Sequence, residues 1–77
     1  MCREAKIANF GQVQNLVKTA SRLSADVGVH DFRGSIADAK SILGLMSLDY
    51  SRPVKIVSED DDALNCCLRA ATKGYTC

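Results

Sequence analysis

The stretch DAKSILGLMSL, residues 38–48, decides how this chain is read. Ser41 stands just before a short apolar run, where a hydroxyl accepts a bond from a free backbone N–H and starts a helix. The helix expected over residues 41–48 carries apolar side chains on two faces. At about 3.6 residues per turn, Leu45 and Leu48 share one arc, while Ile42, Leu43 and Met46 share another. So short a helix cannot bury both arcs against a single sheet. In a chain of 77 residues the second arc is expected to face outward. An exposed cluster of Ile42, Leu43 and Met46 is a docking surface; the plainer alternative is that Met46 and Leu43 lap over the edge of the core.

Upstream of this stretch, residues 11–23 predict a helix. Val13, Leu16, Val17, Ala20 and Leu23 recur at helical spacing and form one apolar stripe. Gln12, Gln14, Asn15, Lys18 and Arg22 take the other side. Residues 3–8 read as a short edge strand. In residues 26–32, Val27 and Val29 fall on one side of a second strand. Phe32 breaks that alternation by one place, which predicts a bulge or a change of face. Arg33-Gly34 marks a hairpin turn, and residues 35–39 form the return strand with Ala37 and Ala39 inward.

Downstream, residues 49–53 end the central helix, and Pro53 opens a strand in which Val54 and Ile56 alternate. Ser58, Glu59 and Asp60 to Asp62 start a third helix, because acidic side chains favour the positive end of the helix dipole. Leu64, Cys67, Leu68 and Ala71 form its buried stripe, Cys66 faces water, and Gly74 closes it. The order is strand, helix, strand, strand, helix, strand, helix. Helices gathered on one face of an antiparallel sheet make an α+β open-faced sandwich. The expected organisation is one domain over residues 1–77, with an ordered core at 3–72 and a tail at 73–77.

Composition excludes several classes. The chain has 10 basic and 9 acidic residues and a net charge of +1, well mixed, so the basic stripe of a nucleic-acid binder is missing. Four aromatic residues, Phe10, Phe32, Tyr50 and Tyr75, offer no stacking platform for single strands. Apolar runs are far short of the roughly 20 residues of a membrane span. The charged start, MCREAK, leads to no apolar segment and is not a secretory signal, so a cytoplasmic location is expected. The cysteines are Cys2, Cys66, Cys67 and Cys77. Two are neighbours and two lie at the chain ends, which favours reduced thiols. With His30 far from all of them, no metal site is expected. No glycine-rich phosphate loop, paired carboxylates or nucleophile with a base is present, so neither an enzyme nor a bound cofactor is expected.

Ser41 has a structural reading as a cap and a functional one. A phosphoryl group there would meet free N–H groups and the positive end of the dipole. It would set about two negative charges beside the apolar arc, changing which partner that surface suits. Residues 38–48 resemble the central motif of the bacterial histidine-containing phosphocarrier family, HPr, of the sugar phosphotransferase system. Residues 16–27, LVKTASRLSADV, are similar to that family's first helix and second strand, and residues 58–64, SEDDDAL, to the start of its last helix. The resemblance implies a βαββαβα sandwich with a four-stranded antiparallel sheet and three helices on one face. It also implies that Ser41 is the target of a serine kinase, and that Ile42, Leu43 and Met46 meet partner proteins.

The resemblance breaks at one place. The family carries phosphate on a histidine in a His-Ala-Arg-Pro pattern that opens the first helix. Counted back without gaps from Thr19-Ala20-Ser21, this chain has Asn9-Phe10-Gly11-Gln12. Asn9 replaces the histidine and Gly11 the arginine. An amide nitrogen is a poor nucleophile because its lone pair is delocalised, and glycine supplies no guanidinium to steady a phosphoryl group. The single histidine, His30, is expected in a strand with no chemistry, and Cys66 as an inert surface thiol. The expectation is thus an HPr-like regulatory module without a catalytic residue, phosphorylated at Ser41. Its partners would be a serine kinase and either phosphotransferase-system enzymes or a transcription regulator. The alternative is an unphosphorylated docking or decoy protein. The short first strand and its exposed edge leave a homodimer open.

Overall fold

The computed structural model describes residues 1–73. Four strands, β1 (Cys2–Ala5), β2 (Gly28–His30), β3 (Ile36–Asp38) and β4 (Val54–Val57), form one sheet in the order β1-β4-β2-β3, with every neighbouring pair antiparallel. The helices are α1 (Phe10–Ser21), α2 (Ile42–Met46) and α3 (Asp61–Lys73). The expected order and α+β architecture are present.

Strand alternation decides which face the helices cover. Ala37, Val29, Ile56 and Arg3 form one cross-strand row. The first three are buried under the helices. Arg3, at the edge, reaches Asp61 at the start of α3 at 3.7 Å. The adjacent row, Ile36, His30, Lys55 and Glu4, lies on the uncovered face, where Ile36 is 68% exposed. Edge strand β1 carries Arg3 and Glu4, charges that discourage pairing with a second sheet.

The core joins the three helices to the sheet through Leu16, Leu45, Ile56, Leu64, Val29 and Val54, all fully buried. Each such aliphatic side chain contributes about 1.5–3 kcal/mol on leaving water. Val13 and Ala20 of the expected α1 stripe are buried, with Val17 and Leu23 half-buried at its margins. Thr19 is also buried, and its hydroxyl is without a hydrogen-bond partner. On α3, Leu64, Cys67 and Ala71 are buried as the stripe predicts, and Ala63 and Ala70 join them.

The structure departs from the sequence reading at particular points. Phe32 does not sit on a bulge. β2 ends at His30, and residues 31–35 make the turn, with Asp31 N–H donating to the Ser35 carbonyl at 3.0 Å and Gly34 N–H to the Asp31 carbonyl at 3.2 Å. Gly34 has φ of +87°, a left-handed conformation that favours glycine. Phe32 points outward, with the Arg52 guanidinium 5.1 Å from its ring centre. α2 stops at Met46, two residues early, because Ser47 and Leu48 close it with tighter bonds to the Gly44 and Leu45 carbonyls. Cys66 is neither a free thiol nor turned to water: it is half-buried and disulfide-bonded, whereas Cys2 and Cys67 are free. It precedes Cys67 by about 100° around α3, at the margin of the buried stripe rather than opposite it. Linear spacing does not show which sulfurs approach in space. Lys73 belongs to α3 rather than to a tail, and Gly74 lies outside the described residues.

Candidate functional site

The starts of α1 and α2, and a groove between the start of α1 and the end of α2, make up the site. At the start of α1, Asn9 is in extended backbone, φ −154° and ψ 167°. Its Oδ1 accepts the Gln12 N–H at 3.0 Å, and Gln12 Oε1 accepts the Asn9 N–H at 3.1 Å. This closed capping box satisfies two donors that a helix leaves free. Gln12 Oε1 also accepts the Ala8 N–H, and its Nε2 donates to the Ala71 carbonyl at 2.9 Å. One side chain therefore fixes the start of α1 against the far end of α3. A Cβ at Gly11 would come within 3.2 Å of Asn9 Oδ1, so any larger residue there presses on the cap.

The start of α2 is simpler. Ser41 is exposed, and its Oγ accepts the Gly44 N–H at 3.2 Å. Gly44 packs closely: a Cβ there would lie 3.2 Å from Ser41 Oγ and 3.4 Å from the Ala37 Cβ. The two arcs of the helix separate as the spacing predicts. Leu45 and Leu48 are buried, while Leu43 is 78% and Met46 56% exposed. Ile42 is intermediate and packs against the core. Of the three side chains expected to dock, two stand in solvent and the third is shared with the interior.

Met46 meets the start of α1. It lines a groove of about 350 Å³ together with Ile7, Ala8, Asn9, Phe10, Val13 and Tyr50. The sequence reading left out Phe10 and Tyr50. Phe10 precedes Val13 by three and Val17 by seven places, so helical periodicity extended one residue upstream finds it. Tyr50 had no periodic signal. Its hydroxyl donates to the Leu45 carbonyl, a contact made only once the chain turns back on α2. Ser41 lies at the opposite end of α2 from Met46, roughly 7 Å along the axis.

His30 is not brought to this site. It lies on the uncovered face, opposite Ile36 and Lys55. Its neighbour Asp31 is buried and accepts three backbone N–H groups: Arg33 at 3.0 Å, Ser35 at 2.9 Å and Asp49 at 2.9 Å. The Asp49 N–H, then those of Ser35 and Arg33, hold the Asp31 carboxyl below the usual carboxylate range. The Ser51 hydroxyl and N–H hold Asp49 low in the same way, with Arg33 and Arg52 adding to it. Burial pushes the Tyr50 hydroxyl up, as does the Asp31 charge. Burial also raises the Cys67 thiol to about 11, which suits a core side chain and not a nucleophile. Among the described residues, no group of three His, Cys, Asp or Glu side chains could hold a metal ion.

This geometry defines a small α+β protein of the open-faced sandwich class with an apolar groove between the start of α1 and the end of α2. The family model PTS-HPr, "PTS HPr component phosphorylation site", matches residues 12–71. The chain belongs to the HPr family of the phosphotransferase system, whose members are phosphocarrier proteins and not enzymes. It is similar in structure to HPr-C-His from Thermoanaerobacter tengcongensis, with a TM-score of 0.65 and 29% identity over 95% of this chain and 93% of that one. No helix among the described residues is long and apolar enough to cross a membrane.

Proposed function

We propose that this HPr-family protein is a cytoplasmic regulatory module that does not relay phosphate and is switched by phosphorylation of Ser41. The observation that carries the reading is the pair of helix starts. At α1 the capping position holds Asn9, whose amide oxygen already accepts the Gln12 N–H. An amide does not attack phosphorus, and the only histidine of the chain is on the far face of the sheet. At α2 the capping position holds an exposed hydroxyl on the same short helix as the exposed Leu43 and Met46. A phosphoryl group on Ser41 would give up the neutral cap for a dianionic one favoured by the helix dipole. It would also turn an apolar docking surface into a partly anionic one. The partners are then a serine kinase and a protein that reads the modified surface, either an enzyme of the phosphotransferase system or a transcription regulator.

The test is a kinase assay on the wild type and Ser41→Ala. One phosphate is incorporated into the wild type and none into the variant. A wild type that takes no label ends the proposal.

A second reading rests on the groove. Met46 and Phe10 are exposed around a hollow, and Leu43 is exposed on the same helix as Met46; an unmodified protein presents this surface equally well, so the chain would act as a docking scaffold or decoy for phosphotransferase-system enzymes. Titration with the first enzyme of that system, followed by NMR, would then shift Leu43 and Met46; a flat titration excludes it. Light scattering across a concentration series reports whether the scaffold is a dimer. The charges on β1 argue for a monomer.

A further inference from the structure

We propose that Asp31 is the positioning residue for the apolar patch on α2: its carboxylate fixes where that helix ends, and with it the wall that Met46 and Tyr50 turn toward a partner. The proposal rests on the reading of Leu43 and Met46 as a docking surface.

α2 has five residues, and a helix so short does not hold its own shape in water. Its start is tied by the Ser41 cap. Its exit is tied from another element altogether. Asp31 Oδ2 accepts the Asp49 N–H at 2.9 Å across 18 positions of sequence. Oδ1 is anchored by the Arg33 and Ser35 N–H groups of the hairpin turn. The buried carboxylate therefore stands on the β2–β3 turn and holds the first residue after Leu48. From that fixed point Tyr50 folds back, its hydroxyl bonded to the Leu45 carbonyl, and its ring lines the groove with Met46.

The charged and titratable groups around this anchor are consistent with a carboxylate acting here. Asp49 carries a second carboxylate, paired with Arg33 at 3.7 Å. His30, Glu4, Lys55 and Arg52 share a hollow with Asp31, and Tyr50 feels its charge. None of these accepts the Asp49 N–H. An amide at position 31 has a single acceptor oxygen and cannot serve both the turn and the α2 exit.

The experiment compares the full chain with Asp31→Asn and Arg33→Ala by NMR. In Asp31→Asn the Asp49 amide exchanges with solvent about tenfold faster or more, as expected for losing a bond to a charged acceptor. The Met46 methyl and Tyr50 ring signals move, while the Gly44 amide at the Ser41 cap stays in place. Arg33→Ala removes the ion pair to Asp49 but leaves the anchor, and its Asp49 and Met46 signals stay as in the wild type. In the wild type, acid titration moves Asp49, Tyr50 and Met46 together at a pH below the ordinary carboxylate range, and Asp31→Asn loses this joint response. Added first enzyme of the phosphotransferase system binds Asp31→Asn about tenfold more weakly than the wild type. Unchanged Asp49 exchange and an unmoved Met46 in Asp31→Asn overturn the proposal. Should that variant fail to fold, wild-type signals that titrate independently of one another overturn it too. A wild type that does not bind the enzyme sinks the docking reading instead, and the amide and methyl signals still decide what Asp31 holds.

Discussion

Asn9 and Ser41 do one physical job at two places. Each sits in extended backbone before a helix, and each accepts the N–H of the third helical residue. The surroundings differ. Asn9 is half of a closed box whose other half, Gln12, reaches across to α3. Ser41 makes a single bond, is exposed, and is followed by apolar side chains in solvent. Local capping is indifferent to whether the acceptor is an amide or a hydroxyl. Phosphoryl chemistry is not: a serine oxygen accepts a phosphoryl group and an asparagine does not. The start of α1 is a structural joint, and the start of α2 is where the proposed modification would fall.

The strongest way to break this contrast is to restore an imidazole. Asn9→His, incubated with the first enzyme of the phosphotransferase system and phosphoenolpyruvate, acquires an acid-labile, alkali-stable phosphate that the wild type never shows. Label forming on wild-type His30 would remove the contrast altogether.

Stability measurements sharpen it next. Gln12→Ala loses the return half of the box and the bond to Ala71, and destabilises by about 2 kcal/mol. Ser41→Ala loses one cap bond and costs about 1 kcal/mol. Urea midpoints measure both; equal losses would mean that the box is no more of a joint than the serine.

Acid separates the two regions by chemistry. No acidic residue lies in the first turn of α1, whereas the α2 exit depends on Asp31. The Asp31 carboxyl is lower in the folded protein than the ordinary value of 3.8. Its contribution is therefore present above that value and is lost as pH falls through the lower, folded one. Hydrogen exchange at decreasing pH is expected to open the Asp49 amide before the Gln12 amide. The alkaline side has the opposite sign. Cys67 stands at about 11 against an ordinary 9.0, so the stability from its buried neutral thiol is whole below 9 and declines between those values.

The smallest effect is a control. Thr19→Val replaces a buried hydroxyl that has no partner with a methyl of similar size, on α1 but away from its cap. A gain of about 1 kcal/mol in the urea midpoint is expected, with the Asn9 and Ser41 behaviour unchanged.

Much of this was legible in the residues. Alternation at Val27 and Val29, and at Val54 and Ile56, placed two strands with their inward faces correct. The spacing of Val13, Leu16 and Ala20 placed α1, and Ser41 was recognisable as a cap. The two arcs of α2 were readable because helical geometry is fixed, and their separation into Leu45 with Leu48 and Leu43 with Met46 is what the structure has. Ile42 was misjudged as fully outward, since its angle on the helix lies at the boundary between the arcs. Cys66 was misjudged because disulfide pairing depends on which sulfurs approach in space, which linear spacing does not show. Phe32 read as a strand residue because alternation cannot show that Asp31, with its side chain bound to the turn amides, makes the strand end at His30, two positions earlier.

Periodicity and caps are properties of neighbours along the chain. They follow from about 3.6 residues per helical turn and two per strand repeat, so the sequence alone determined the element order, the sheet-facing residues and the chemical difference between Asn9 and Ser41. Bonds that span many residues have no such period. The reach of Gln12 to Ala71, the hold of Asp31 on Asp49, and the meeting of Met46 with Phe10 and Tyr50 exist only once α1, α2 and the hairpin are packed. A buried polar group takes whichever partner packing brings within reach, and that choice was made by the tertiary structure.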